Sequence, residues 1–84
     1  MSDADRLYEH LAATAELPVE RSASRLLGEA EAVADDLREA DPDVQAERAA
    51  VVEQLLAKVD TTGHSEADEH VEQARALASA LADE

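Results

Sequence analysis

The chain has 84 residues, and its 21 Asp and Glu outnumber its seven Lys and Arg to give a formal net charge of −14. It has no cysteine, which excludes disulfides, thiol catalysis and cysteine-rich zinc sites. A polyanion is repelled by phosphate backbones and by anionic lipid headgroups, so we expect neither nucleic acid nor a membrane as a partner.

The length corresponds to one domain, which we place at residues 1–84. The N-terminal residues are acidic and polar, and no apolar signal-peptide region follows them. No apolar run approaches the roughly 18 residues that a membrane span needs. We therefore expect a soluble, cytoplasmic protein.

A first amphipathic helix is predicted from the start of the chain to about Ala15. Ser2, followed three residues later by Asp5, is typical of a capping box. Apolar residues recur at helical spacing, namely Ala4, Leu7, Tyr8, Leu11 and Ala15. Tyr8, the single aromatic residue, is expected to be half-buried in the core. Proline disfavours helical geometry in the residue before it, so Leu17-Pro18 is expected to interrupt the helix.

The second helix is predicted from about Pro18 to Ala40, with the proline in its first turn. Apolar residues at alternating spacings of four and three form a heptad seam: Val19, Ala23, Leu26, Ala30, Val33, Leu37 and Ala40. Leu27 and Ala34 widen this seam on one side. Gly28 lies off the seam, and we interpret it as a tolerated surface glycine.

The dipeptide Asp41-Pro42 marks the clearest helix boundary, because Asp is a preferred N-cap residue and proline suits the first helical position. The third helix is predicted to run to about Asp60, with Gly63 available for a left-handed C-cap. Its apolar residues are Val44, Val51, Val52, Leu55, Leu56 and Val59. Ser65 with Asp68 is expected to open a fourth helix. The apolar stripe of that helix is Ala67, Val71, Ala74, Leu77, Ala78 and Leu81.

These elements predict an all-α fold, an up-and-down bundle of four helices with short connections. A three-helix variant results if the first two helices merge across Leu17-Pro18. Laying Leu7–Leu37 over Val51–Leu81 without a gap gives eight identical pairs in 31 positions, five of them Ala. Duplication of a helical hairpin and a shared helical phase both explain this similarity.

Three histidines, His10, His64 and His70, are the candidates for metal or phosphoryl chemistry. A metal site needs converging ligands, and His64 and His70 are six residues apart, which places them on different sides of a helix. Glu66 and His70 are four apart and can share a metal or a hydrogen bond. We interpret the histidines as solvated surface residues, and His70, which precedes Val71, as a boundary residue at a helix interface.

Carboxylate pairs such as Asp3/Asp5, Asp35/Asp36 and Glu66/Asp68 are frequent and lie on faces expected to be exposed. General acid–base catalysis needs carboxyls whose pKa values are driven apart by burial or by neighbours. The inward-facing Glu-x-x-His repeat of a di-metal bundle does not occur. We therefore assign no catalytic, cofactor-binding or metal-binding residue, and we expect a protein that is not an enzyme.

The favoured interpretation is a non-enzymatic interaction module that forms a homodimer, because small cores without disulfides or metals are often stabilised by self-association. The dimer would use an exposed part of the Leu26/Val33/Leu37 seam or of the Val51/Val52/Leu55 stripe. The alternative is a histidine-dependent phosphorelay carrier or enzyme that uses His10, with Arg6 four residues before it, or His70. An acidic mimic of nucleic acid is a third hypothesis.

Lysine occurs once, at Lys58, and Ala and Val stand in place of bulky aromatic residues. Residues 29–37 and 63–72 are acidic, Ala-rich amphipathic segments, EAEAVADDL and GHSEADEHVE. In these features the chain resembles small helical proteins of haloarchaea that have no established activity. The resemblance implies an archaeal source and a compact helical fold that is stable in concentrated salt, where a Debye length of about 3 Å screens the carboxylates. It implies no functional residue.

Overall fold

Four α-helices make up the computed structural model, which describes residues 2–83. In chain order they are α1 (Asp3–Thr14), α2 (Arg21–Leu37), α3 (Pro42–Ala57) and α4 (Ser65–Ala82). No strand occurs within this range. Residues 15–20 separate α1 from α2, so the four-helix prediction is confirmed and the merged three-helix variant is wrong.

The helices form a closed ring of four. Each helix packs against its neighbour in sequence, and α1 also packs against α4. The backbones of the diagonal pairs, α1 with α3 and α2 with α4, stay further apart, with no Cα atoms within 8 Å of each other over residues 2–83. With short connections between neighbours, this arrangement confirms the all-α, up-and-down bundle. Of the helices described, none is both long and apolar enough to cross a membrane.

The core consists of Ala, Leu and Val. Its members are Ala4, Leu7, Leu11, Ala23, Leu27, Ala30, Ala34, Leu37, Ala49, Val52, Leu56, Val59, Val71, Ala74, Ala78 and Leu81. Tyr8 is half-buried against this core, as predicted, and the Arg38 guanidinium lies over its ring, 4.2 Å from the centroid. The single aromatic side chain therefore packs at the edge of the bundle, where an arginine covers it.

The buried face of α2 differs from the predicted heptad seam. Its buried residues are Ala23, Leu27, Ala30, Ala34 and Leu37. Leu26 and Val33, which were expected in the seam, are only half-buried. Leu27 and Ala34, which were expected only to widen it, are buried, because α2 packs against α1 on one side and α3 on the other. The buried face is therefore rotated relative to the prediction.

Two residues of the surfaces predicted for self-association lie inside the bundle. Leu37 and Val52 are completely buried, so a partner cannot reach them without unfolding the chain. The members of those surfaces that remain partly accessible are Leu26, Val33, Val51 and Leu55. The accessible apolar surface is therefore narrower than the sequence predicts.

Both ends of α2 lie inside the predicted span of Pro18–Ala40. The helix starts later than expected because the Glu20 N–H donates to the Thr62 carbonyl, 2.8 Å away, and Glu20 itself is extended. It ends at Leu37, whose carbonyl accepts a hydrogen bond of 2.9 Å from the Gln45 amide of α3. Hydrogen bonds from other elements therefore set both ends of α2.

The start of α3 is predicted correctly and its end is not. Asp41-Pro42 supplies the N-cap residue and the first helical residue, although the Asp41 side chain makes no capping hydrogen bond. The helix ends before the predicted Asp60. The Arg75 guanidinium of α4 donates to the carbonyls of Leu56 and Val59. In this way α4 is bonded to the end of α3 and to the residues that follow it.

The Asp68 carboxylate organises the connection between α3 and α4. It accepts hydrogen bonds from the Thr62 N–H at 2.8 Å and from the Thr62 hydroxyl at 2.9 Å, and these bonds lower the pKa of Asp68. Because Asp68 is engaged there, His64 rather than the predicted Ser65 is the N-cap of α4. Gly63 has the predicted left-handed conformation, with φ of 77°, but it precedes α4 instead of capping α3.

The buried positions of the two helical hairpins, α1–α2 and α3–α4, correspond to each other. A displacement of 44 residues relates the buried positions of α2 to those of α4: Ala23/Ala67, Leu27/Val71, Ala30/Ala74, Ala34/Ala78 and Leu37/Leu81. A displacement of 45 residues relates α1 to α3: Ala4/Ala49, Leu7/Val52 and Leu11/Leu56. The ungapped superposition is therefore right for the second helix of each hairpin and one residue out for the first.

The two glycines should respond oppositely to alanine substitution. A Cβ at Gly28 would meet no atom within 4 Å, so Gly28→Ala should raise the free energy of unfolding by about 1 kcal/mol through helix propensity. A Cβ at Gly63 would lie 3.1 Å from the Glu20 Cγ, and the left-handed backbone disfavours alanine, so Gly63→Ala should lower it by about 1–2 kcal/mol. Thermal unfolding at fixed KCl, followed by circular dichroism, measures both. Shifts of the same sign would contradict this account.

Candidate functional site

His10 of α1 and His70 of α4 meet at the interface between these helices. Their Nδ1 atoms are 2.9 Å apart, and their ring centroids are 5.2 Å apart. Both side chains are half-buried, and each directly precedes a buried core residue, Leu11 in α1 and Val71 in α4. The packing of the first helix on the last therefore brings together two imidazoles that are 60 residues apart in sequence.

A hydrogen bond between two Nδ1 atoms requires complementary protonation of the two rings. One Nδ1 carries a proton and donates, and the other accepts. The Glu66 carboxylate lies 4.0 Å from His70 Nε2, which favours a proton on that nitrogen. His70 Nδ1 is then the acceptor and His10 Nδ1 the donor. The hydrogen bond persists only while one of the two imidazoles is neutral.

The surroundings of His10 disfavour its protonation. Partial burial lowers the pKa of His10 below the usual 6.5, and the neighbouring His70 lowers it further, whereas Glu9 acts in the opposite direction. Near neutral pH, His10 is therefore held in its neutral form. Neutral imidazole is the form that accepts protons and binds metal ions.

A surface cavity of about 350 Å³ opens at the histidine pair. It is lined by His10, Glu69, His70, Glu72 and Gln73. A larger cavity of about 610 Å³ lies at the start of α2 and is lined by Glu20, Arg21, Ser22 and Arg25, with no imidazole among them. The histidine cavity thus combines imidazole nitrogens with carboxylates, and this set of groups can bind a cation or exchange a proton.

At the positions equivalent to His10 and His70, the chain has leucines. A displacement of 45 residues takes His10 to Leu55, and one of 44 takes His70 back to Leu26. Both leucines are half-buried and pack against the core. The bundle therefore has apolar side chains at one pair of positions and imidazoles at the equivalent pair, so packing does not by itself require histidine.

The three histidines differ in their surroundings. His64 caps the start of α4 and is not part of the pair. His10, which we interpreted as solvated, is half-buried and hydrogen-bonded, whereas the boundary position predicted for His70 is confirmed. The pairing is not visible in the local sequence, because His10 and His70 are 60 residues apart and lie on different helices. A one-residue gap in the alignment of the two hairpins would have placed His10 opposite Leu55 and His70 opposite Leu26, and both leucines pack against the core.

Two carboxylates from the pairs noted in the sequence have structural partners. Asp35 forms an ion pair with Arg38 at 2.7 Å, and Asp68 holds the connection before α4. In the part of the chain that the structure describes, no group of three or more His, Cys, Asp or Glu is arranged to hold a metal ion. These two carboxylates therefore have structural roles.

The phosphorelay alternative stays a prediction. Phosphotransfer needs a free imidazole nitrogen, and the hydrogen bond between His10 and His70 occupies Nδ1 of both rings, which leaves Nε2. Arg6 lies exposed one turn before His10, where its charge can offset that of a phosphoryl group.

Comparison with known families assigns this helical bundle to one of them. The family model DUF8152, a domain of unknown function, matches residues 3–84, so the chain belongs to this family. Comparisons with curated proteins and with solved structures gave no match. The matched region contains all four helices and both members of the histidine pair.

Acidification should destabilise the fold through the histidine pair. Because the pKa of His10 is lowered from 6.5 on folding, the unfolded chain binds more protons as the pH falls from about 7 to about 5, and stability is lost over that interval. The variant His10→Leu/His70→Leu removes both imidazoles and reproduces the leucines of the equivalent positions. We expect the Tm of the wild type, relative to this variant, to fall between pH 7 and pH 5.

Circular dichroism of both proteins at constant KCl measures this difference. The neighbouring carboxylates, present in both proteins, are Glu9, Glu66, Glu69 and Glu72. Their titration contributes to both Tm values, so the difference isolates the imidazoles. A Tm difference between the two proteins that stays constant across the pH range would contradict the effect of the histidine pair on stability.

Proposed function

We propose that the protein is a non-enzymatic helical interaction module that forms a homodimer in the salt-rich cytoplasm of a halophilic archaeon. The dimer surface is a line of residues on α3, called the α3 stripe: Val44, Arg48, Val51, Leu55 and Lys58. Their alternating spacings of four and three place them on one side of the helix. The stripe includes the accessible part of the α3 surface that the sequence predicts for self-association.

Exposed apolar side chains carry this proposal. Val44 and Val51 are 39% and 38% exposed, and across residues 2–83 they are the large apolar side chains that count as exposed. They lie two turns apart on the same side of α3, and half-buried Leu55 extends the line. Single exposed apolar residues are ordinary on protein surfaces, whereas apolar residues aligned on one stripe favour an interface.

Charge selects a second copy of the chain as the partner. The two charged members of the α3 stripe are Arg48 and Lys58 and none is a carboxylate, so two stripes meet with less repulsion than two acidic faces of a chain of net charge −14 would. In a two-fold antiparallel arrangement centred on Val51, Lys58 of one copy approaches Asp43 of the other. Opposite charges then face each other at both ends of the stripe, which favours this register.

A dimer of standard size would bury about a sixth of the accessible surface of each copy. A standard interface buries about 800 Å² on each partner, against an accessible surface of 5009 Å² for this chain. Leu26 of α2 lines a surface cavity together with Lys58, so α2 adds apolar surface beside the stripe. A two-fold contact uses the same patch on both copies, and the assembly therefore closes at two.

Composition supports the salt-rich setting. A net charge of −14 on a chain of this size makes the compact state repel itself in dilute buffer. At molar KCl the Debye length is about 3 Å, so carboxylates on the surface interact little with one another. The resemblance to small haloarchaeal proteins points to the same setting.

A charge placed in the α3 stripe should dissociate the dimer. Val51→Glu adds a carboxylate that the dimer would have to bury, while in the monomer its position is exposed and tolerates it. Light scattering in molar KCl should give the dimer mass for the wild type and the monomer mass for the variant, with both equally helical by circular dichroism.

The matched control is Ala80→Glu, which adds the same charge at an exposed position of α4. It should remain dimeric. The proposed interface fails if the wild type is monomeric in molar KCl, or if Val51→Glu is as dimeric as Ala80→Glu.

The Tm should rise steeply between low salt and molar KCl, because screening reduces repulsion between surface carboxylates. The variant Glu29→Gln/Asp36→Asn/Glu39→Gln neutralises three exposed carboxylates of the α2 region. It should show a higher Tm at low salt and a smaller rise with KCl. A wild-type Tm that does not change with KCl would refute the salt adaptation and leave the dimer test unaffected.

A further inference from the structure

We propose that His10 and His70 form a binding site for a divalent transition-metal ion, with Nδ1 of both imidazoles as its protein ligands. The proposal is independent of dimer formation. Neutral imidazole suits Cu²⁺, Ni²⁺ and Zn²⁺, whereas Mg²⁺ prefers oxygen ligands. Because the two histidines lie on α1 and α4, a bound ion would join the first helix of the bundle to the last.

The spacing of the two Nδ1 atoms fits a common ion. With ion–nitrogen bonds of about 2.05 Å, two ligands at a right angle are about 2.9 Å apart, and two in tetrahedral geometry are about 3.3 Å apart. The observed separation is 2.9 Å. This is the length of the present hydrogen bond, and it is short enough for both nitrogens to reach adjacent positions around a tetragonal or octahedral ion, the geometries of Cu²⁺ and Ni²⁺, once the rings have rotated.

Binding requires a small rearrangement of the pair. The proton between the two Nδ1 atoms leaves that position, and His10 then carries its proton on Nε2, so the ring stays neutral. Both rings rotate until their Nδ1 lone pairs point to the ion rather than to each other. The open cavity beside the half-buried rings provides room for this rotation and for the ion.

The carboxylate next to His70 is placed as an outer partner of a metal ligand. Metal-bound histidine usually donates its second N–H to a carboxylate or carbonyl, which fixes the ring orientation. Glu66 lies 4.0 Å from Nε2 of His70, the nitrogen that faces away from His10. A small side-chain adjustment brings this carboxylate into hydrogen-bond distance.

The cavity is open to water, which can complete the coordination sphere. Glu69, Glu72 and Gln73 also line it, but among the described residues no three His, Asp or Glu are arranged as a ligand set, so the two imidazoles are the protein ligands of the proposed site. The net charge of −14 raises the local concentration of cations at the surface.

The leucines at the equivalent positions indicate that the histidines serve a purpose other than packing. Leu55 and Leu26 pack against the core where the other hairpin carries His10 and His70. Imidazoles at a half-buried interface gain less from burial than leucines do. Besides their hydrogen bond, the histidines add two imidazole nitrogens close enough to reach one ion.

Calorimetric titration of CuCl₂, NiCl₂ and ZnCl₂ into the protein near pH 7.5 tests this site. Excess MgCl₂ in the buffer occupies surface carboxylates, which prefer hard cations. We expect one ion per chain, with affinity highest for Cu²⁺. Electron paramagnetic resonance of the Cu²⁺ complex should show hyperfine coupling to two imidazole nitrogens. The Tm should rise with the ion present, because the ion binds only the folded pair.

Three variants separate this site from other ion binding. His10→Leu/His70→Leu keeps the fold by reproducing the leucines and should bind Cu²⁺ at least about tenfold more weakly, because the two-ligand chelate is lost. His64→Ser keeps a capping side chain and removes the third imidazole, so it should bind like the wild type. Val51→Glu, designed to be monomeric, should also bind like the wild type.

Any one of three results would refute the site. The first is that the wild type binds none of the three ions in excess MgCl₂. The second is that the double leucine variant binds Cu²⁺ as tightly as the wild type. The third is loss of binding in His64→Ser, which would place the ion at the start of α4 instead.

Discussion

Alanine at the buried faces of α2 and α4 sets the geometry of the whole bundle. Each of these helices buries three alanines in the same register, and the buried residues of α1 and α3 are mostly larger. A residue with almost no side chain allows one helix backbone to approach the next closely, which suits a core whose buried residues are Ala, Leu and Val. Because such a core has little volume to spare, the register of alanine against leucine decides which face of each helix is buried.

Two of the few basic residues, Arg38 and Arg75, make structural contacts in this small bundle. Arg75 donates to two carbonyls at the end of α3, and Arg38 covers the ring of Tyr8 while it pairs with Asp35. Exposed ion pairs contribute little to stability, whereas the Arg75 guanidinium is part-buried and its two hydrogen bonds join α4 to the end of α3. Packing and helix capping stabilise the fold, whereas repulsion among the many carboxylates destabilises it. Salt reduces this repulsion by screening the charges.

Local sequence signals predict the number, type and order of the helices, and they fail where a remote partner sets a boundary. Asp41-Pro42 correctly marks the start of α3 because capping and proline geometry are local properties. The start of α2 depends on Thr62, and its end is bonded by Gln45, and neither partner is visible in the residues around the helix. The histidine pair escapes prediction for the same reason, since its two halves come from opposite ends of the chain.

The histidine pair lies at the one interface in the ring of helices, α1 with α4, that no short connection supports. Three of the four helix interfaces join helices that are adjacent in sequence, and the chain itself keeps those helices together. The interface of α1 with α4 has no such connection, so side-chain contacts alone close the bundle there. The equivalent leucines lie on α2 and α3, which are joined by a few residues and do not depend on a contact for their proximity. Protonation of both imidazoles would break their hydrogen bond, and the ion that we propose between the rings would join them. A change at His10 and His70 therefore acts on the one of the four interfaces whose helices are not joined by a short connection. If this interface opened, the chain would still hold the helices of the other three interfaces next to each other.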